Sequence, residues 1–522
     1  MGRTYVAGAK TLGSVAVGAF FLTFLGAFPI PGQLLRPTER SDRVLEELER
    51  LQAFEILDTI PTGQRLGLAR MLRMALESDG GPPEDRTSGI APLVSIPDLT
   101  VASEFSFGWV DANGREIQPN GLGEIDAMIA TLAQARGGRV LDDGSNWSIE
   151  PAFGWRSGEW SFQGRGRIRW LSGSSHDPEE GRVQELWAEG PLGPLYFSVG
   201  RAPVMWGSSF VGAPVFSGRS RALDHVGISS DGTFRFPWVF ERLGPSSFSV
   251  SIARLDGTRA VPHSFLVGHR LSARPTPSLE VGVSMLIQSG GEGGPEGSFF
   301  RRVLDYLVVV EPLTEDLSAE ISNKLAEFDI AWMVPGTRGS RAYLSIAFDD
   351  FGKAHQLDRV FGQDASYILG ISVPRLQADG MIGLKAEYHE TGVRFYRHGQ
   401  FPSGMTMDRI ILGDGLGPDG RGGYLEISIR PTASDRVVLQ VASEERSNDF
   451  YHVKGEFLLS KVIDRPEEKR TRLLADWERS WPDRNFGIVA RAGYERVSNF
   501  AFEQTNVRHG VLSEIRAVLW FH

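Results

Sequence analysis

The chain contains no cysteine, which removes disulfide frameworks, thiolate metal sites and cysteine nucleophiles together. Past residue 36 no uncharged run approaches the ~18 residues of a membrane-spanning helix. Any later crossing of a bilayer must therefore use strands. A basic excess is missing too: the net charge is -10, which argues against a nucleic-acid partner. The ten His stand singly, without the i, i+4 pairing of a zinc helix. Gly-X-Ser-X-Gly is absent, so a serine-esterase reading has no anchor. No catalytic residue, cofactor or metal is expected. What the chain has in quantity is Gly (61), Pro (29) and Phe (31), with 12 Trp and 10 Tyr among 522 residues. At 23% charged and 41% hydrophobic it is too apolar for disorder.

The N-terminus reads as an export signal over residues 1–28. Arg3 and Lys10 supply positive charge, and the apolar run Val15–Phe28 follows. Residues 36–98 read as a helical segment and linker. Val44, Leu45, Leu48 and Leu51 recur at helical spacing, as do Leu68, Leu72, Ala75 and Leu76. A third helical stretch is expected at Ile125–Leu132.

From residue 99 to 522 the apolar period becomes two. Trp160, Phe162, Gly164, Gly166, Ile168 and Trp170 share one face, while Ser161, Gln163, Arg165, Arg167 and Arg169 share the other. Ten steps of ~3.3 Å at a tilt of ~45° rise roughly 23 Å, close to the apolar band of an outer-membrane barrel. A Trp at each end then sits at each membrane–water interface. Leu279–Ile287, Ala342–Phe348 and Leu425–Ile429 repeat the pattern. The last strand carries Val511, Ile515, Ala517, Leu519 and Phe521 on one face. Tight connections at 156–159, 190–194, 242–246, 274–277, 335–339, 374–380, 431–435 and 482–484 alternate with longer ones, the largest including 202–235. The count is an all-β transmembrane barrel of about 18 antiparallel strands, with both termini periplasmic. The segment Tyr451–Leu459 is assigned to a hairpin within an outer loop.

Several stretches resemble the Wzi capsule-assembly family. They are Pro237-Trp238, Leu243-Gly244-Pro245, Arg259-Ala260-Val261-Pro262, Leu266–Leu271, Arg274–Gly282 and Gln288-Ser289-Gly290-Gly291. Met205-Trp206-Gly207 looks like the family's Trp-Gly-Pro-Gly stretch, with Ser208-Ser209 in place of Pro-Gly. The resemblance implies a lectin-like outer-membrane barrel, with short helices at the periplasmic mouth. Its implied role is to bind capsular or other surface polysaccharide and aid capsule attachment and assembly, without catalysis. A porin-like channel or outer-membrane transporter is the alternative. The expected partners are polysaccharide and outer-membrane lipid, and the protein is expected to be a monomer.

Within the 202–235 connection, Trp206 offers a stacking face for a sugar ring. Arg219 and Arg221 offer charge-assisted bonds, and Asp224 and His225 offer partners for hydroxyls. The ladder Arg165, Arg167, Arg169 is expected to be neutralised by acidic residues on neighbouring lumen-facing strands. His269 reads as structural, and the Gly-rich run Asp414–Gly420 as a flexible loop.

Overall fold

The computed structural model describes residues 99–521, apart from short stretches within connections (113–114, 118–119, 121, 123–124, 130–131, 133–136, 173–178, 308–320, 338, 350–360, 378–379, 433, 455–457 and 482–483). The expected signal and the helices of 36–98 lie outside the described residues.

Eighteen antiparallel strands close into one sheet. They are β1 (Leu99–Asp111), β2 (Gly144–Ser157), β3 (Trp160–Ser172), β4 (Glu179–Leu192), β5 (Leu195–Ala202) and β6 (Leu223–Ser230). Next come β7 (Ser246–Arg254), β8 (Phe265–Thr276), β9 (Leu279–Ser289), β10 (Ser322–Met333), β11 (Arg341–Asp349) and β12 (Ala365–Val373). The last six are β13 (Ile382–Thr391), β14 (Gly420–Ile429), β15 (Asp435–Arg446), β16 (Glu468–Trp481), β17 (Phe486–Ser498) and β18 (Val507–Phe521). Each strand pairs with its neighbours in sequence, and β1 closes the ring on β18 with Val101 opposite Phe521. Closure leaves no open edge, the condition for placing backbone in lipid. Leu99 and Phe521 lie at the end with the shorter turns, which is periplasmic in barrels of this kind.

Alternation sets the two faces. In β1, Phe105, Phe107 and Trp109 point outward while Glu104, Ser106 and Val110 are buried inside. Trp109, Trp147 and Trp170 mark the outer rim of the apolar band. Trp155, Trp332 and Phe521 mark the inner rim. Trp170 is paired with Trp147, and Trp160 with Ser157 at the opposite end of the same strand pair. The two girdles expected at the ends of β3 are present. The lumen face carries the charges in alternation: Arg446, Arg470 and Arg472 interleave with Glu444, Glu468 and Glu495, at 3.0–3.5 Å. The basic ladder of β3 is neutralised in the same way. Glu150 sits 2.8 Å from Arg167 and 3.5 Å from Arg165, and Asp142 sits 2.8 Å from Arg169.

Three expectations are corrected. Ile125–Leu132 is not a helix: Met128–Ile129 pairs with Arg115–Glu116 as a short hairpin. Ile125, Ala127 and Ile129 are buried at period two, which the helical spacing hid. The 202–235 connection is interrupted by β6, so the outer loop ends at 222. The tight inner turn placed at 242–246 is part of a longer inner connection, 231–245, carrying a 3-10 helix at Trp238–Leu243. Phe234, Phe236, Trp238 and Phe240 alternate like a strand, but Pro237 lacks an N–H donor and Trp238 adopts φ 61°. The outer-loop hairpin is present, with Phe450–Lys454 pairing Leu458–Ile463.

Candidate functional site

Three outer connections turn inward. Residues 112–143, 203–222 and 392–419 contribute Ile125, Trp206, Phe216, Tyr396, Met405 and Leu412 to an apolar plug in the upper lumen. The wall meets the plug with Leu223, Leu266, Leu286 and Leu325, so these strands are apolar on their lumen face there. Trp206 stands edge to face on Phe216 with ring centroids 4.9 Å apart. Its ring lies against Gly268, where a Cβ would come within 2.7 Å of it. Only glycine leaves room for the indole at that wall position.

A buried polar latch ties the plug to the wall. The Glu387 carboxylate on β13 accepts bonds from Ser209 Oγ at 2.8 Å, Phe210 N–H at 2.7 Å, Val211 N–H at 3.1 Å and Tyr343 O–H at 2.6 Å. His389, two residues along on the same face, places one ring nitrogen 2.8 Å from Glu387 and the other 2.5 Å from Asp414 of the 392–419 segment. Asp414 also accepts from the Leu416 N–H at 2.9 Å. The Asp414–Gly420 run is therefore packed into the plug, where Asp414 and Leu416 are buried. The flexible-loop expectation is corrected, and the reason is the bond to His389.

The top of the plug is a polar cluster around one tight turn. Asp408 and Arg409 join Thr406–Met407 to Ile410–Ile411 with φ 48° and 62°. A two-residue turn with both φ positive favours Asn-Gly, so Asp-Arg here stores strain. Five contacts hold it. The Asp408 carboxylate meets Arg182 at 3.2 Å and Arg221 at 2.5 Å, and its N–H donates to Asp256 at 3.2 Å. Arg409 Nε donates to Asp126 at 2.8 Å, and its carbonyl accepts from Met128 N–H at 2.8 Å. Arg182, Asp408, Arg409 and Asp126 are all partly exposed to the outer solvent. Burial pushes the Asp256 carboxyl up, but bonds from Thr258 and the Asp408 N–H outweigh it and hold the group below the ordinary range. Beneath the turn, burial lowers Arg259 to about 10 while its guanidinium donates to the Thr406 and Gly404 carbonyls.

The five residues expected to bind a ligand do not converge. Trp206 and Arg219 are buried inside the plug. Asp224 and His225 are consecutive residues of β6 and face opposite ways. Asp224 lies on the outer wall in a two-bond pair with Arg201, at 2.7 and 2.8 Å. His225 points into the lumen, 3.3 Å from Ser198 Oγ. Arg221 alone joins the polar cluster at the mouth. Sequence reasoning missed Arg182, and also Asp408 and Arg409, which are marked locally as a charged pair between two short apolar runs. It also missed Glu387 and His389, whose signal is two polar residues at i, i+2 on a lumen face.

One acidic group near the mouth is poised to titrate. Burial, then the charge of Asp449, pushes the Asp419 carboxyl up to about 6. An unfolded Asp titrates near 3.9, so the folded loop binds the extra proton between those values. Its stability contribution is full below about 4 and falls as pH rises through about 6. Amides around 417–419 and 447–451 should exchange more slowly at pH 5 than at pH 7, after correction for intrinsic rates. Asp419→Asn should flatten that difference; an unchanged pH dependence in the variant would assign it to another group.

Residues 127–510 match the family described as capsule assembly protein Wzi. The chain belongs to the Wzi capsule assembly family. A curated Klebsiella pneumoniae relative, an uncharacterized 55.8 kDa protein in the cps region, is 28% identical over 145 residues, spanning 28% of each chain. Among solved structures, the fold is similar to that of Wzi of Escherichia coli. That protein is described as an outer-membrane, carbohydrate-binding β-barrel involved in group 1 capsule assembly. The TM-score is 0.65 at 16% identity, covering 91% of this chain and 97% of that one. The family match and the closed, lipid-banded barrel place this chain in the outer membrane.

Proposed function

We propose that the protein binds surface polysaccharide at its outer mouth and helps to attach or organise the capsule, without catalysis. The observation that carries this reading is the combination of a filled upper lumen with a bonded, partly exposed polar cluster above it. A solute channel needs an open path, whereas here Trp206, Phe216, Tyr396 and Met405 fill the upper lumen. A glycan presents hydroxyls, and in acidic capsules carboxylates, that suit guanidinium and carboxylate partners held in fixed positions. Arg182, Arg221, Asp408 and Arg409 supply such a set. Of the five residues expected from sequence, Arg221 is retained in this proposal.

Charge-assisted bonds contribute roughly 1.5–3 kcal/mol each, and tenfold in affinity is about 1.4 kcal/mol. The double change Arg182→Gln and Arg221→Gln should therefore weaken binding of the cognate capsular polysaccharide at least about tenfold, with the barrel still heat-modifiable on gels. Cells carrying it should release more capsule into the medium. A folded double variant that retains polysaccharide like the parent would remove this cluster from the binding site.

A further inference from the structure

One outer connection folds against the outside of the wall. The helix α1 (Phe299–Tyr306), capped by Ser298 accepting from the Arg301 N–H, belongs to the connection between β9 and β10. Its Asp305 and Tyr306 contact outward-facing strand positions. Lys324 shares the outward face of β10 with Phe328 and Trp332, yet its side chain is only 2% exposed and lies 2.7 Å from Asp305 of α1. Tyr306 O–H meets Ser289 Oγ at 2.7 Å, and the Tyr306 carbonyl meets the His269 ring on the outward face of β8. Val267 and Ile287, which also share the outward faces of β8 and β9, are buried. The helix thus covers wall that would otherwise meet lipid, near the outer rim.

Its polarity is inverted relative to a helix on a soluble core. The acidic pin Asp305 faces the protein, while Phe299 is 84% exposed, Phe300 69% and Leu307 62%. Exposed aromatics contiguous with a lipid-facing wall match the surroundings of a bilayer interface rather than water. We propose that α1 lies in the outer leaflet as an interfacial anchor, with Phe299, Phe300 and Leu307 in lipid. In this arrangement the Lys324–Asp305 pair fastens the helix to the barrel. The occupant of this face is lipid, because the face continues the belt formed by Phe265, Val283 and Phe328.

The absence of cysteine makes the test direct, since a single introduced thiol is unique in the full chain. Phe300→Cys, spin-labelled and reconstituted in phosphatidylethanolamine–phosphatidylglycerol vesicles, should collide with oxygen several-fold more than with an aqueous nickel complex. It should resemble a label at Val283→Cys on the bare wall and differ from one at Glu503→Cys in an outer loop. A label at 300 that meets nickel as freely as at 503 would overturn the proposal. So would shielding from both probes, which would mean that protein covers the face. A second arm reads the pin: Asp305→Ala leaves Lys324 buried without its carboxylate and should lower assembly several-fold. Adding Lys324→Met should restore assembly; no rescue would refute the fastening role.

Discussion

Glu387→Ala is expected to open the barrel. The carboxylate is a wall group that links two plug segments. It binds Ser209, Phe210 and Val211 of the first directly, and reaches Asp414 of the second through His389. Removing it takes a buried acceptor from the Ser209 and Tyr343 hydroxyls, two backbone N–H groups and one face of His389. Each stranded donor costs about 1–3 kcal/mol, while His389 keeps its bond to Asp414. The 18-strand wall does not depend on these bonds, because its ladder is made of backbone pairs. The loss should therefore fall on the plug. In planar bilayers the parent should conduct little, whereas Glu387→Ala should show frequent large openings and admit bulky antibiotics into cells. Glu387→Gln keeps the shape and one of the two acceptor oxygens and should open less often. A Glu387→Ala barrel that is folded and as closed as the parent would show that apolar packing alone retains the plug.

This latch also shows what a sequence can and cannot disclose. The barrel was legible because lipid outside and charge inside impose period two on every strand, so Trp160–Trp170 alone fixes facing and length. Turn spacing gave the strand number for the same reason: each crossing needs a similar rise. The plug was not legible. Its inward fold depends on apolar residues from distant segments meeting Leu266, Leu286 and Leu325, and each of these is a local break in alternation that looks like noise until the partner is known. Residues 223–230 were hidden in a supposed loop because Asp224 and Arg201 put charge on the outward face near the rim. The candidate site was read as one loop, while the structure builds the mouth from β4, the segment before β6, and the turn at 408–409. Such long-range convergence leaves no mark at the spacing of either helix or strand.

Facing can be tested with the largest effect at adjacent residues of β3. Gly164 points outward between the Trp160 and Trp170 rims, opposite Phe153 on β2. The Phe153 ring lies over it, and a Cβ there would sit 2.3 Å from the ring edge. Gly164→Arg therefore has two costs: the ring must leave its place, and a cation near the bilayer midplane costs roughly 2–4 kcal/mol. The neighbour Arg165 points inward, 3.5 Å from Glu150 and 3.7 Å from Glu185. Arg165→Gln removes one cation from that group, but Glu150 keeps Arg167 at 2.8 Å. Assembly scored by heat-modifiable gel mobility should collapse for Gly164→Arg and stay near the parent level for Arg165→Gln. Gly164→Ala separates the two costs, since it brings the clash without the charge and should fall between them. Equal tolerance of arginine at 164 and glutamine at 165 would contradict the outward facing of Gly164, and with it the depth at which β3 crosses the membrane.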